Sequence, residues 1–259
     1  MARPSLAPVH RFLFDLSLRG LGIMNWENWS LTGEKWFLKD YLPNKLNAIK
    51  SPTLLDVGAN VGRYSTSFLE SFPHGQVFAF EPHPKNFEAI TKVLSQPRFT
   101  AINAAVGSRC GELPLYDYAD ERAGSSHASL TSKVITDFYR AATRAITVPV
   151  TTLDHYCEQQ SITAIDLLKI DVEGHELDVL HGAKSLIEAG RIPIIQFEFN
   201  FLNIYSRTLF SDFESLLVGY RLYRLLPRSM LAVSSANLTE SHAFAFQNIV
   251  AIRAGEAQR

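Results

Sequence analysis

Cysteine is nearly absent from this chain: Cys110 and Cys157 are the only two in 259 residues. Two thiols exclude a disulfide framework and a cysteine-rich metal centre, and they fit a reducing compartment. An excess of charge is also missing. Lys and Arg number 25 against 26 Asp and Glu, a formal net charge of −1. With no concentrated basic tract, general attraction to nucleic acid or to an anionic membrane is not expected. There is no long apolar run. Phe12-Leu13-Phe14-Asp15-Leu16-Ser17-Leu18 is too short and too interrupted to span a bilayer. It also lacks the apolar core and small-residue cleavage site of a signal peptide. These absences predict a cytoplasmic protein without a transmembrane segment. Repeats and low-complexity segments are absent too.

The hydrophobic fraction of 46% and charged fraction of 20% suit a soluble globular chain, long enough for one α/β domain with insertions. Residues 1–50 form an N-terminal extension with helices expected near 8–20 and 33–48. Its Phe12, Leu16, Trp26, Trp29, Trp36, Phe37 and Tyr41 are too many apolar residues for a disordered tail. They predict an extension that packs on the core and offers a surface for a homo-oligomer or another partner.

From residue 51 the pattern alternates. Strands are expected at 53–57, 76–80, 98–104, 146–150, 164–170 and 192–198. Helices are expected near 63–72, 84–95, 152–160, 175–189 and 207–218. Residues 107–146 read as an irregular insertion, a candidate lid over the substrate. Runs 220–226 and 243–252 read as an antiparallel pair. The prediction is a mostly parallel sheet with helices on both faces.

The most informative stretch is Thr53-Leu54-Leu55-Asp56-Val57-Gly58-Ala59-Asn60-Val61-Gly62-Arg63. It reads as a buried strand, a glycine turn and a helix start, and Glu81 closes the next strand. A dinucleotide fingerprint needs glycine where Asn60 stands, and no Lys-Ser or Lys-Thr follows Gly62. What remains is a nucleoside without phosphates, and S-adenosylmethionine fits. Gly58 and Gly62 let the chain turn sharply and let a cofactor approach the backbone. Asp56 ends an apolar strand and needs donors, either loop amides or the cofactor's amino group. Glu81 is placed to accept both ribose hydroxyls, the alternative being a solvated strand end.

A second block, Leu168-Lys169-Ile170-Asp171-Val172-Glu173-Gly174-His175-Glu176, puts Asp171, Glu173 and His175 at the lip where open α/β sheets bind ligands. Asp171 ends a strongly apolar strand. Glu173 and Glu176 also suit a helix N-terminus for purely local reasons. His175 near that terminus suits a neutral base, or is a surface histidine.

These residues resemble the FkbM-family methyltransferases. The resemblance covers roughly 53–200 and rests on Asp56–Gly62, Glu81-Pro82-His83-Pro84, Val150-Thr151-Thr152-Leu153-Asp154, Leu168–Glu176 and Val179-Leu180-His181-Gly182-Ala183; Gly33-Glu34 is similar to the family's lead-in. It implies a methyltransferase-type Rossmann sheet and methylation of a hydroxyl on a sugar, glycan or natural product. It also implies S-adenosylmethionine contacts at Asp56, Gly58, Asn60, Gly62 and Glu81.

Methyl transfer to an aliphatic hydroxyl needs alignment and a route for the proton. Asp171, His175 and Glu173 are the catalytic candidates. Asp171, Glu198 and Asn200 are an alternative set of oxygen ligands for Mg²⁺, with Glu198 bonded to loop amides as the plainer reading. Two rival functions stay open. One is a catalytically idle cofactor-binding scaffold, against which Glu81 and Asp171 argue. The other is a Rossmann oxidoreductase, against which Asn60 argues.

Overall fold

The computed structural model describes residues 3–120, 124, 128–138 and 140–255. Eleven strands occur among them: β1 (Thr53–Val57), β2 (Gln76–Phe80), β3 (Phe99–Ile102), β4 (Ala105–Val106), β5 (Gly111–Tyr118), β6 (Thr143–Thr151), β7 (Leu167–Ile170), β8 (Ile194–Phe199), β9 (Tyr220–Leu226), β10 (Ser229–Ala232) and β11 (Gln247–Arg253). The main sheet has the order β10-β9-β11-β8-β7-β1-β2-β3. β8, β7, β1, β2 and β3 run parallel, and β11, β9 and β10 are antiparallel.

The period-two alternation of each strand splits the core between the two faces. Leu55, Leu168, Ile195 and Phe197 join one cluster, under helices Leu153–Gln159, Glu176–His181 and Phe210–Leu216. Leu54, Leu167, Ile194 and Val77 join the other, under helices Arg63–Ser71 and Pro84–Val93. This second face is also covered by the N-terminal extension, whose Phe37, Leu38 and Leu42 are fully buried. The earlier helix, Ala7–Gly20, buries no residue, and Val9, Phe12, Leu13 and Leu16 on it are exposed. No helix among the described residues is long and apolar enough to cross a membrane.

Several expectations need adjustment. The helix expected at 33–48 is a run of Glu34–Trp36, a π-type turn Phe37–Tyr41 and Leu42–Lys45. The wide turn precedes Pro43, whose missing N–H would interrupt an α-helical ladder. The helix expected at 175–189 breaks after His181, at Gly182 and Ala183. The insertion at 107–146 is not irregular throughout: β5 and β6 pair antiparallel from Gly111 with Val150 to Tyr118 with Thr143, and β4 joins β6 in a second sheet. Residues 121–123, 125–127 and 139 of the insertion lie outside the described residues. β5 escaped notice because its first half is exposed and it holds Pro114, which an edge strand tolerates. The two C-terminal runs do pair antiparallel, and β10 adds an unexpected hairpin strand.

Candidate active site

The chain leaves β1 for β2 and β3 on one side and returns through β7 and β8 on the other. Ligands of open α/β sheets bind at the carboxyl ends of the strands at such a reversal. A cavity opens there, walled by Val57, Gly58, Asn60, Phe80, Glu81, Asn86, Ala104–Val106, Asp171, Val172 and Glu173. Leu115 of β5 and Ala128, Ser129 and Leu130 of the insertion close its far side.

Gly58 has φ +84°, and a Cβ there would stand 1.8 Å from the Asp171 carbonyl oxygen. The turn after β1 thus lies directly against the end of β7, a packing that only glycine permits. Its N–H and that of Ala59 both donate to the Phe80 carbonyl, 3.0 Å each. Asn60 follows at φ +49°, a left-handed conformation that Asn accepts. Its N–H donates to Glu81 Oε2 at 2.8 Å, and the His83 N–H donates to Glu81 Oε1 at 2.8 Å. Glu81 is thereby locked at the cavity wall, and the Asn86 side chain adds a third hydrogen bond to its carboxylate.

Burial pushes the Glu81 carboxyl up to about 7, against the lowering effect of the His83 and Asn60 N–H groups. Two pH effects follow from a folded value raised above the ordinary one. The group's contribution to stability is largest in acid and falls as pH rises towards 7. The ionised carboxylate is the stronger acceptor, so if Glu81 takes the ribose hydroxyls that the sequence assigns to it, cofactor affinity should be highest above pH 7 and fall towards acid. Glu81→Ala should cost on the order of 1–3 kcal/mol of cofactor binding, the scale for hydrogen bonds to a charged group. Calorimetry with S-adenosylhomocysteine across pH 5.5–8.5 checks both. A flat profile together with unchanged affinity in Glu81→Ala would remove Glu81 from the pocket.

The other two residues expected at the cofactor lie elsewhere. Asp56 is buried away from the cavity and accepts from the Ser65 hydroxyl at 2.6 Å. The donor it finds is thus a side-chain hydroxyl, and burial raises its pKa to about 6. Gly62 starts helix Arg63–Ser71 at φ +79°, where a Cβ would meet Ile90 at 2.7 Å and Leu94 at 2.9 Å. It lets two helices pack rather than lining the pocket.

At the opposite lip, Asp171 and Glu173 reach the cavity. Glu173 sits at φ +55°, a strained conformation for a side chain of its size. Burial, with Asp171 and Glu176 adding to it, holds its carboxyl well above the usual range. Glu176 is structural: Oε1 accepts from Gly174 N–H at 3.1 Å and Val172 N–H at 3.3 Å. His175 stands outside the cavity wall. Its Nδ1 lies 3.1 Å from Asp178 Oδ2 and its Nε2 lies 2.9 Å from the Thr131 hydroxyl. It instead ties the insertion to the lip, as does Ser129, whose hydroxyl donates to the Glu173 carbonyl at 3.1 Å. His83 makes a similar link, with Nε2 3.2 Å from Asp117 Oδ2 of β5.

The expected Mg²⁺ set does not form. Asn200 spends its side-chain oxygen on the Leu202 N–H at 2.8 Å, and its Nδ2 donates to Glu198 Oε2 at 3.3 Å. Asp171 faces the ammonium of Lys169 at 3.5 Å, and that ammonium lies 3.7 Å from Glu34. Among the described residues no group of three or more His, Cys, Asp or Glu side chains is arranged to hold a metal ion.

Sequence reasoning missed Asn86, Ser129, Glu34 and Lys169. Lys169 carried a visible signal, a lone charge inside Leu167-Leu168-Lys169-Ile170. Glu34 was visible only as part of the Gly33-Glu34 lead-in, and Asn86 and Ser129 carried no signal, because they come from a helix and a loop distant in sequence.

The sheet, its reversal and the glycine turn define a Rossmann-like domain of the methyltransferase type. Residues 56–225 match the model of the Methyltransferase FkbM domain, and the chain belongs to that family. Among its relatives is 2-O-methyltransferase NoeI of Sinorhizobium fredii, 27% identical over 54% of this chain and 60% of that protein. Hexuronic acid methyltransferase AglP of Haloferax volcanii is 27% identical over 66% of this chain and 65% of that protein. The chain thus spans less than two thirds of the length of these relatives. The solved structure of methyltransferase FkbM from Methylobacillus flagellatus is 16% identical, with a TM-score of 0.48 over 78% of this chain and 44% of that one.

Proposed function

We propose that the protein transfers a methyl group from S-adenosylmethionine to a hydroxyl oxygen of a sugar, glycan or related natural product. The observation that carries this reading is Glu81, fixed by two backbone N–H groups at the wall of a crevice closed by the Gly58 turn. Such a carboxylate suits the two hydroxyls of a ribose, and Asn60 occupies the place where a pyrophosphate would need glycine. Relatives named for 2-O-methyl transfer and for a hexuronic acid support a sugar acceptor.

S-adenosylmethionine, when bound, supplies an electrophilic methyl group on a sulfonium. The chain's own residues align the acceptor and take its proton. Asp171 is the carboxylate for that role. It lines the cavity and is 40% exposed, so an acceptor hydroxyl can reach it. Glu173 lines the same wall, and burial beside Asp171 and Glu176 raises its pKa. Residues 128–130 wall the cavity on the side of the insertion, anchored by Ser129 at Glu173 and by the adjoining Thr131 at His175.

Calorimetry should show binding of S-adenosylmethionine and S-adenosylhomocysteine and none of nicotinamide dinucleotides. Hydrogen exchange should show protection of 128–131 as well as 58–62 when S-adenosylhomocysteine is added. Binding of a nicotinamide dinucleotide alone would replace this reading with an oxidoreductase. Protection confined to 58–62 would leave the insertion without a covering role.

A further inference from the structure

Among the described residues Lys169 is the one buried lysine, placed between the lip and the core. The residue is 2% exposed, and its Nζ has no hydrogen-bond partner. Carboxylates stand around it at 3.5 Å (Asp171 Oδ2) and 3.7 Å (Glu34 Oε1). Glu198 belongs to the same group: it lies on β8 two residues beyond Gln196, the register partner of Lys169, and so on the same face of that strand. Glu34 comes from the N-terminal extension, outside the matched domain at 56–225. It is held by Gln196, whose Nε2 donates to Glu34 Oε1 at 2.9 Å while Tyr64 donates its hydroxyl to Gln196 Oε1 at 2.5 Å.

The charges are compensated, but the directional bonds are not made. An ammonium has three donors, and a buried donor without a partner calls for an account. The neighbouring carboxylates, where ionised, can only accept. A group that satisfies both must accept from Lys169 and donate to a carboxylate, which is what a hydroxyl does. A carboxylate or phosphate has no proton to donate and adds negative charge beside Glu34, Asp171 and Glu198.

We propose that Glu34, Asp171 and Glu198, gathered round Lys169, form an acceptor subsite for a non-anionic polyhydroxy compound, a neutral or amino sugar, and exclude uronic acids and phosphosugars. This rests on the methyltransferase reading and names its substrate class. Glu34 and Glu198 accept the hydroxyls next to the reacting one, and Lys169 positions Asp171.

The test uses the full chain with methyl-labelled S-adenosylmethionine and a panel of methyl glycosides. The panel holds neutral, 2-amino and uronic forms of the gluco, galacto and manno series, with the hexose 6-phosphates. Label should enter neutral or amino sugars about tenfold or more faster than the anionic ones, the scale of a single like-charge contact. Glu34→Gln keeps the oxygen that Gln196 needs and removes the charge. It should raise KM for the preferred sugar by about tenfold, the worth of one charge-assisted hydrogen bond, with S-adenosylhomocysteine affinity unchanged. Equal or faster labelling of uronic acids or phosphosugars overturns the proposal. So does an unaltered KM in Glu34→Gln, or a protein that binds S-adenosylhomocysteine and labels none of the panel. Failure to bind S-adenosylhomocysteine defeats the methyltransferase reading itself, and the proposal with it.

Discussion

Replacing Asp171 with Asn is expected to lower turnover by ~10²-fold or more, the usual scale for losing acid–base assistance, while cofactor affinity stays the same. The two effects separate because Asp171 and Glu81 stand on opposite walls of the crevice, at the ends of β7 and β2. Asn preserves the shape of the side chain and its contact with Lys169, so the lip should stay folded. Single-turnover kinetics with a labelled acceptor measure the chemical step, and calorimetry with S-adenosylhomocysteine measures binding. Near-normal turnover would leave alignment alone as the source of catalysis. A matching loss in His175→Ala would return that residue to the proton path, although its two ring nitrogens are engaged by Asp178 and Thr131. The expected result there is a mild loss, through loosening of the insertion.

Gly58→Ala should be the most damaging single methyl addition. A Cβ would lie 1.8 Å from the backbone oxygen of Asp171, and φ is +84°. A left-handed L residue costs roughly 1–2 kcal/mol. Overpacking costs typically about 1–3 kcal/mol, and backbone yields less readily than a side chain. A destabilisation on the order of 2–5 kcal/mol in urea unfolding is therefore expected, with cofactor binding lost as the turn moves off the end of β7. Gly20→Ala is the contrast, since nothing lies within 4 Å of its added Cβ. It should leave the urea midpoint nearly unchanged. A Gly58→Ala protein as stable as the parent would contradict the close approach of the two strand ends.

The parallel core was legible because its strands are continuous apolar runs bounded by turn residues. Leu54-Leu55 and Leu167-Leu168 read as buried strands and are buried. The glycine turn and Glu81 were legible for the same local reason, since both sit at a strand end with a recognisable spacing. β5 was not, because its pairing with β6 creates a strand from a sequence with exposed residues and a proline. The partners of His175 and Asp56 were not legible, because a sequence shows which side chains are available but not which partners they find. Thr131 and Ser65 answer that question. The Mg²⁺ set failed similarly, because strand order brings Lys169 among the carboxylates.

By itself, the sequence determined the fold class, the nucleoside crevice and the lip that bears Asp171. Each of these depends on short-range pattern: periodicity of apolar residues, glycines at fixed spacing, a charge at a strand end. Tertiary structure alone decided that Glu34 of the extension meets Lys169, that the insertion walls the cavity, and that Asp56 and Gly62 serve packing. Most of those contacts join segments separated by tens to more than a hundred residues, and Asp56 with Ser65 spans nine. Only the register of the assembled sheet sets which of them come within reach.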